Sequence, residues 1–192
     1  MGQDLPVTSY ALLGLLTFGD ALTGYELKQR ADATLRFYWV SPAMSQVYSE
    51  LARLTDHGLV VATGEGRGTT YTISDAGREA LVAWMGHSPP GFPVLKHPIA
   101  LRLLLGHMVD RETTIDMLRD HLRALAKERD ALVEVRESLR GGDGPGEVFR
   151  HPSLVADWGL DYFENESRIV GDLIRRLEDE GPDNAGTEDE GP

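Results

Sequence analysis

The stretch from residue 41 to residue 73 constrains the fold of this chain more strongly than any other. Ser41 is a preferred helix cap and Pro42 a preferred first-turn residue, and apolar residues then recur at helical spacing until Gly58 ends the pattern. Two runs of β-forming residues follow, separated by a segment with three glycines that permits a tight turn. We therefore expect a helix that is followed directly by a β-hairpin.

Two further helices are expected before this stretch. The first begins at about Thr8, and the second begins with a capping box in which Thr23 and Glu26 each satisfy a backbone N–H of the other. Ser74 is expected to cap a fourth helix over residues 75–86. The order helix, helix, helix, hairpin is that of a winged helix-turn-helix, which places its third helix in the DNA major groove and its wing against the backbone or the minor groove.

The third helix and the wing supply the candidate DNA contacts. The apolar residues of this helix face inward, which leaves hydroxyl, amide, phenol and guanidinium groups outside, where they can reach phosphates or base edges. The alternatives are a solvated polar helix face and an ordinary hairpin loop. The predicted DNA-contacting residues are Lys28, Ser41, Ser45, Gln46, Tyr48, Ser49, Arg53, Arg67, Thr69, Thr70 and Tyr71.

Changes in composition divide the chain into domains. Residues 88–94 contain three prolines and a glycine, which predicts a stiff, non-helical linker. We expect a winged helix-turn-helix domain at residues 1–87, an all-helical domain at 95–179 and a disordered acidic tail at 180–192. The expected fold class is mainly α.

Two long amphipathic helices are expected in the second domain, at residues 110–139 and 152–179, after a short apolar helix at 95–107. Apolar residues in the first long helix follow heptad steps of three and four. Each apolar seam is longer than one chain can cover, which favours a two-fold dimer. An intramolecular antiparallel hairpin is the alternative for part of this surface. The predicted interface residues are Ile115, Leu118, Leu122, Leu125, Leu132, Trp158, Ile169 and Leu173.

The charge of the chain opposes DNA binding. The formal net charge is −12, and residues 1–87 contain six basic residues against nine acidic ones. DNA affinity depends largely on neutralised phosphates. Recognition by this domain would therefore depend on a few well-placed groups.

Several kinds of chemistry have no support in the sequence. The chain has no cysteine, no secretory signal pattern and no apolar run of membrane-spanning length, so we expect a soluble, cytoplasmic protein. The six histidines show no metal-ligand spacing, and each is expected to be an ordinary surface or core residue. No nucleophile motif, P-loop or dinucleotide fingerprint occurs, so we expect neither a cofactor, a metal site nor an enzyme.

A set of short patterns makes the chain resemble the PadR family of transcriptional regulators. Each pattern is weak alone, but the set is specific and spans residues 7–84. The second half resembles the longer helical dimerisation domain of one branch of that family, in architecture more than in motif. The patterns are residues 12–16 (LLGLL), 23–27 (TGYEL), 39–42 (WVSP), 47–54 (VYSELARL), 58–60 (GLV) and 71–78 (YTISDAGR).

The resemblance implies a homodimeric repressor that binds promoter DNA, which for a helix-turn-helix dimer means a pseudo-palindromic operator. It also implies release from DNA by an aromatic or hydrophobic small molecule. The family's wing usually carries several basic residues, whereas here Arg67 stands alone. The alternative is a winged-helix interaction module that dimerises through its C-terminal helices without useful DNA binding. Aromatic residues that could line a ligand pocket where the domains meet are Phe37, Trp39, Trp84, Trp158 and Tyr162.

Overall fold

The computed structural model of the protein describes residues 5–19, 21–91 and 97–180. The chain divides into two compact units, Met1–Phe92 (unit 1) and Pro93–Pro192 (unit 2). The end of the expected linker, and all but the first residue of the expected acidic tail, lie outside the described residues. None of the described helices is both long enough and apolar enough to span a bilayer.

Unit 1 combines helices with one small antiparallel sheet. Its elements follow the expected order of three helices, hairpin and fourth helix, with one additional short strand before the second helix. The predicted fold class, mainly α with an N-terminal winged helix-turn-helix, is confirmed. In chain order the elements are α1 (Val7–Leu15), β1 (Leu22–Thr23), α2 (Gly24–Thr34), α3 (Met44–Asp56), β2 (Val60–Thr63), β3 (Thr70–Ile73) and α4 (Asp75–His87).

The strand β3 is central in the sheet of unit 1. It pairs antiparallel with β2, which completes the wing, and antiparallel with β1 on its other edge. The register places Val60 opposite Ile73 and Thr63 opposite Thr70. The strand β1 has only two residues, so it carries no alternating pattern from which it could be predicted.

Two predicted helix caps are confirmed. Thr23 and Glu26 form the capping box of α2: the Thr23 N–H donates to Glu26 Oε2 at 2.8 Å, and the Glu26 N–H donates to Thr23 Oγ1 at 3.2 Å. Ser74 caps α4 by accepting a bond from the Gly77 N–H at 3.0 Å. These bonds satisfy backbone donors that the first turn of a helix leaves unpaired.

The predicted start of α3 is wrong. The helix begins at Met44 with Ala43 as its N-cap, and no side chain caps it. Ser41, the expected cap, donates its hydroxyl proton to Asp32 Oδ1 at 2.6 Å instead. Because this bond fixes Ser41 against α2, the chain turns into α3 only after Pro42, which is buried.

The core of unit 1 is rich in leucine and holds α3 in place. Leu12 and Leu13 on α1, Leu27 on α2, and Leu51 and Leu54 on α3 are all fully buried. Burying one leucine side chain contributes about 1.5–3 kcal/mol. The inner face of α3 is therefore firmly anchored, and its opposite face is presented outward.

Unit 2 is a helical unit whose elements are close to those expected. The first helix is shorter than the expected 95–107 because His97 caps it, Pro98 occupies its first turn and Gly106 follows soon after its end. Asp110 caps the next helix through a 2.7 Å bond from the Thr113 N–H. The elements are α5 (Pro98–Leu104), α6 (Arg111–Ser138) and α7 (Arg150–Asp179).

The long helices α6 and α7 form an antiparallel hairpin. Ile115 and Leu118, near the start of α6, pack with Val170 and Ile174, near the end of α7. At the other end, Arg136 Nε pairs with an Asp157 carboxylate oxygen at 2.7 Å. The intramolecular packing that was the alternative to a dimer therefore occurs.

Candidate DNA-binding surface

The helix α3 has a buried apolar face and an exposed polar face. Val47, Leu51 and Leu54 are fully buried, as their helical spacing predicts. The hydroxyl of Ser49 donates to the Gln46 carbonyl of the same helix at 3.0 Å, and the Gln46 amide points outward. The exposed positions on α3 include Ser45, Gln46, Tyr48, Ser49 and Arg53, which are the predicted contacts of this helix.

A buried carboxylate supports the exposed face of α3. Glu50 is 6% exposed and accepts a hydrogen bond from the Ser9 hydroxyl of α1 at 2.5 Å. It also pairs with Arg53 Nε at 3.3 Å, while 48% of the Arg53 side chain stays exposed. Glu50 therefore ties α3 to α1 and orients Arg53. Glu50 is not among the predicted DNA-contacting residues. Its position beside Leu51 and three residues after Val47 nevertheless places it on the inward-facing stripe of α3.

Lys28 is engaged within the fold and is only 19% exposed. Its ammonium group pairs with Asp32 one turn later on α2 and lies 3.5 Å from the Ser41 hydroxyl. The bond from Lys28, and then that from Ser41, hold the pKa of the Asp32 carboxyl below its usual value. These three residues join α2 to the segment that leads into α3. The sequence shows the i,i+4 spacing of Lys28 and Asp32 but does not predict the contacts of Ser41.

Tyr48 has a packing role as well as an exposed surface. A Cβ atom added to Gly24 would lie 2.5 Å from a ring carbon of Tyr48, so the ring rests directly on the first turn of α2. Tyr25, the next residue, is 57% exposed, and its hydroxyl accepts a bond from the Gln29 amide at 3.3 Å. Tyr25 and Gln29 extend the polar surface beside Tyr48. The sequence pattern around Gly24 predicts the start of a helix and does not reveal this surface.

The tip of the wing is a turn built on glycines. Gly64 and Gly66 have φ angles of 97° and 60°, values that favour glycine, and a short 3₁₀ turn spans Gly66–Gly68. The backbone of Arg67 is in this turn, and its side chain lies outside the described part of the structure. The backbone of Arg67, the predicted wing anchor, is therefore at the tip of the wing.

The other predicted wing residues are bonded or packed within unit 1. Thr69 Oγ1 donates to the Gly66 carbonyl at 3.0 Å, and Thr70 Oγ1 donates to the Thr63 carbonyl at 3.4 Å. Tyr71 is half-buried and packs against the hydrophobic core. Of these three, the threonine side chains lie closer to the exposed tip.

Two of the remaining basic residues of unit 1 have structural roles. Arg30 donates from Nη1 to the carbonyls of Leu15 and Phe18 at 3.0 and 3.1 Å, which satisfies acceptors at the end of α1. The Arg36 guanidinium lies 4.5 Å from the centroid of the Phe37 ring. Arg78, on α4, is exposed and was not among the predicted contacts.

The aromatic residues that were predicted to line a ligand pocket are divided between the two units. Trp84 stacks on Tyr10 of α1, with ring centroids 4.8 Å apart, and so contributes to packing in unit 1. Phe37 and Trp39 belong to the same unit. In unit 2, Trp158 is 65% exposed. Burial of the Tyr162 hydroxyl, and to a smaller extent the negative charge of Glu166, raise the pKa of Tyr162.

The predicted dimer-interface residues fall into two groups. Ile115, Leu118, Leu125 and Leu132 are buried inside unit 2, and Leu122 and Leu173 are partly buried against its core. Intramolecular packing already covers these six. The inner face of α7 is formed by other residues, which include Ala156, Gly159 and Phe163. Trp158 and Ile169 are exposed. They lie on an outward apolar stripe of α7 with Val155 and Tyr162, here called the α7 stripe.

Two protein-family models match the chain. The Transcriptional regulator PadR-like family matches residues 12–83, which include α3 and the wing. The Virulence activator alpha C-term family matches residues 95–178, which include the helices of unit 2.

The chain is also similar to characterised proteins. It is 31% identical over 122 residues to the negative transcriptional regulator PadR of Bacillus subtilis (strain 168), an alignment that spans 61% of this chain and 66% of that protein. Its fold matches crystal structures of Bacillus subtilis PadR in complex with operator DNA (TM-score 0.76) and with p-coumaric acid (TM-score 0.75). Each match has 25% identity and covers 90% of this chain and 99% of the other. The chain therefore belongs to the PadR-like family of transcriptional regulators and is not an enzyme.

Proposed function

We propose that the protein is a dimeric repressor that binds a pseudo-palindromic operator and is released from it by an aromatic small molecule. The exposed polar face of α3, held on a leucine core with the wing directly after it, carries this proposal. The solved complex of Bacillus subtilis PadR with operator DNA supports it.

In this proposal α3 lies in the major groove and reads bases. Gln46 is the residue best suited to this role, because its exposed side-chain amide matches the donor and acceptor pair of adenine. Ser45 and Ser49 add hydroxyl contacts, and Arg53 neutralises a phosphate. The wing places Arg67 against the backbone or the minor groove.

The domain roles follow the division that the sequence suggests. Residues 1–87 bind DNA, residues 88–94 link the domains, and residues 95–179 form the dimer. Because the inner seam of the α6–α7 hairpin is already buried, the partner subunit packs on the α7 stripe. Val155, Trp158, Tyr162 and Ile169 recur there at steps of three, four and seven, the spacing of a helix–helix seam.

The balance of charge sets how the protein binds. Lys28 and Arg30 are engaged inside unit 1, so the available positive charge is smaller than the sequence count suggests. Each neutralised phosphate adds about 0.9 to the slope of log affinity against log salt. We expect a shallow slope, and specificity that depends mainly on base contacts.

The inducer in this proposal is a planar aromatic compound. The solved complex of Bacillus subtilis PadR with p-coumaric acid supports that chemical class. Titrating such compounds into the protein–DNA complex, with DNA release and tryptophan fluorescence as readouts, tests this step. A broad panel that neither releases DNA nor quenches fluorescence saturably would remove the inducer from the proposal.

The experiment that tests the whole proposal is a selection of fragmented genomic DNA on the purified protein. Retained fragments are sequenced, and the best is titrated at several salt concentrations. We expect a palindromic motif that Gln46→Ala relaxes at particular base pairs. Weak binding without a motif, lost by physiological salt, would favour the interaction module. The acidic balance of residues 1–87 is the observation behind that second candidate.

A further inference from the structure

Three helices of unit 2 bring two histidines and a glutamate together. His97 is the N-cap of α5, His121 lies on α6 and Glu166 lies on α7. Glu166 Oε1 is 3.0 Å from His97 Nε2 and 3.4 Å from His121 Nε2. The three potential ligand atoms all lie within 4.8 Å of one another. We call this set the His–His–Glu cluster.

The cluster is sheltered but accessible. Its side chains are 15%, 18% and 14% exposed for His97, His121 and Glu166. The two imidazole rings meet edge to face, with centroids 5.6 Å apart, and both Nε2 atoms lie within 3.4 Å of the same carboxylate oxygen.

We propose that the His–His–Glu cluster binds a divalent transition-metal ion, with Zn²⁺ as the reference ion. Zinc lies about 2.0–2.2 Å from imidazole nitrogen and carboxylate oxygen, so neighbouring ligand atoms in a tetrahedral site are about 3.3 Å apart. The 3.0 and 3.4 Å separations of the two Nε2 atoms from Glu166 Oε1 match that spacing, while the three ligand atoms together lie within 4.8 Å of one another. Small movements of the side chains would place all three atoms around one ion.

The ligand types define which metals the cluster accepts. Two imidazoles with one carboxylate suit zinc, cobalt, nickel and iron, whereas magnesium and calcium prefer oxygen ligands throughout. Three protein ligands leave a fourth position for water or a small ligand. This inference concerns unit 2 alone and does not depend on the proposed DNA-binding function.

Metal binding at His97 requires a change in its hydrogen bonds. The Ala100 N–H donates to His97 Nδ1 at 3.2 Å, which puts the proton of the neutral ring on Nε2, facing Glu166. A metal at Nε2 needs the ring proton at Nδ1, so the Ala100 bond must break when the ion binds. Without metal, the His97 Nε2–H donates to Glu166 Oε1, and His121 Nε2 lies 3.4 Å from the same oxygen. The ion and this hydrogen-bonded arrangement are therefore alternative states of one site.

Sequence spacing does not reveal this cluster. The members are 24 and 45 residues apart and lie on three different helices, so no short ligand motif exists. The expectation that each histidine is an ordinary surface or core residue rests on that missing motif. Only the packing of α5, α6 and α7 brings the three side chains together.

The test is metal binding by the full chain after removal of metals with a chelator. Zn²⁺ is titrated by calorimetry into the wild type and into His97→Asn, Glu166→Gln and the control His151→Asn. Asparagine is a preferred N-cap, so His97→Asn removes the imidazole and keeps a cap for α5. His151, also in unit 2, is exposed and outside the cluster. Circular dichroism checks that each variant is folded.

We expect one Zn²⁺ per wild-type chain, with affinity more than about tenfold weaker in His97→Asn and Glu166→Gln and unchanged in His151→Asn. Co²⁺ bound to the wild type should show the visible absorption of a four-coordinate site, a readout that needs no variant. The proposal is overturned if the wild type binds no Zn²⁺ saturably. It is equally overturned if His151→Asn weakens binding as much as the cluster variants do.

Discussion

Ser9 on α1 donates a hydrogen bond to the carboxylate of Glu50 on α3, with 2.5 Å between Oγ and Oε2. Both side chains are buried, and Glu50 also pairs with Arg53 on the exposed side of the helix. A single carboxylate thus connects the core of unit 1 to a residue on its candidate DNA-binding face. Loss of Glu50 should therefore affect both stability and DNA binding.

Glu50→Ala should lower the free energy of unfolding by about 1–3 kcal/mol, because it leaves the buried Ser9 hydroxyl without an acceptor. Glu50→Gln keeps an acceptor and should have a smaller effect. Urea unfolding followed by circular dichroism measures both. Glu79 is exposed on α4, so Glu79→Ala is the control and should stay within about 0.5 kcal/mol of wild type. An equally small effect for Glu50→Ala would show that the buried bond contributes nothing.

Gly77→Ala should destabilise unit 1 by about 1–3 kcal/mol through overpacking. An added Cβ would lie 2.2 Å from the Leu59 backbone carbonyl oxygen, so the chain entering the wing must shift. Gly86, on the same helix, has open space around the corresponding position. Gly86→Ala should be neutral or stabilising, since alanine is the better helix former. Thermal unfolding of the two variants side by side tests this, and equal midpoints would contradict the steric argument.

Local patterns predicted much of unit 1, because the interactions that define them span few residues. The Thr23–Glu26 capping box and the inward leucines of α3 depend on steps of three and four residues, which the sequence displays directly. The start of α3 was misplaced because Ser41 bonds to Asp32, nine residues away on another helix. The sequence alone does not show whether a serine that can cap a helix will bond to that helix or to a residue on another helix.

The candidate site was harder to predict, because a charged side chain can either contact a ligand at the surface or form an ion pair within the protein. Lysine commonly contacts phosphate groups, but the partners of Lys28 are Asp32 and Ser41 of the same chain. In unit 2, the sequence predicts one dimer interface from apolar residues of both long helices. The structure packs those of α6 within the chain, turns small residues of α7 such as Ala156 and Gly159 inward, and leaves Trp158 exposed. Hydrophobicity alone does not distinguish an internal seam from an external one.

Arg67→Ala should weaken DNA binding across all sequences and reduce the salt slope by about one unit, as expected for loss of one phosphate contact. Lys28→Ala should leave the slope unchanged, because Lys28 is already paired with Asp32. Affinities measured by fluorescence anisotropy over a range of salt concentrations give both slopes. If Lys28→Ala alone flattened the slope, the assignment of these two residues would have to be exchanged.

Stability should fall in acid partly through Glu26. Its bonds from the Thr23 backbone and hydroxyl lower its pKa relative to the ordinary value of 4.5. A carboxyl with a lowered pKa stabilises the fold fully above its unfolded pKa and loses that contribution as the pH falls through the folded pKa. Glu26→Gln keeps a capping side chain that does not titrate, so it should lose less stability than wild type between about pH 7 and about pH 3.5. Urea unfolding at both pH values gives the two losses, and Glu79→Gln should behave like wild type. Equal losses in all three proteins would exclude Glu26 as a contributor.

Trp158→Asp should convert the proposed dimer into monomers at micromolar concentration. The side chain is 65% exposed on the α7 stripe, so a charge there is tolerated in one chain but would be buried without a partner between two. Glu164 is exposed on α7 outside the stripe, and Glu164→Ala should leave assembly unchanged. Analytical ultracentrifugation gives the mass of each variant, and circular dichroism verifies that the helices remain. A dimer that survives Trp158→Asp would show that the partner subunit packs elsewhere. The exposed Leu101, Leu104 and Met108 in and just after α5 would then be the next surface to change.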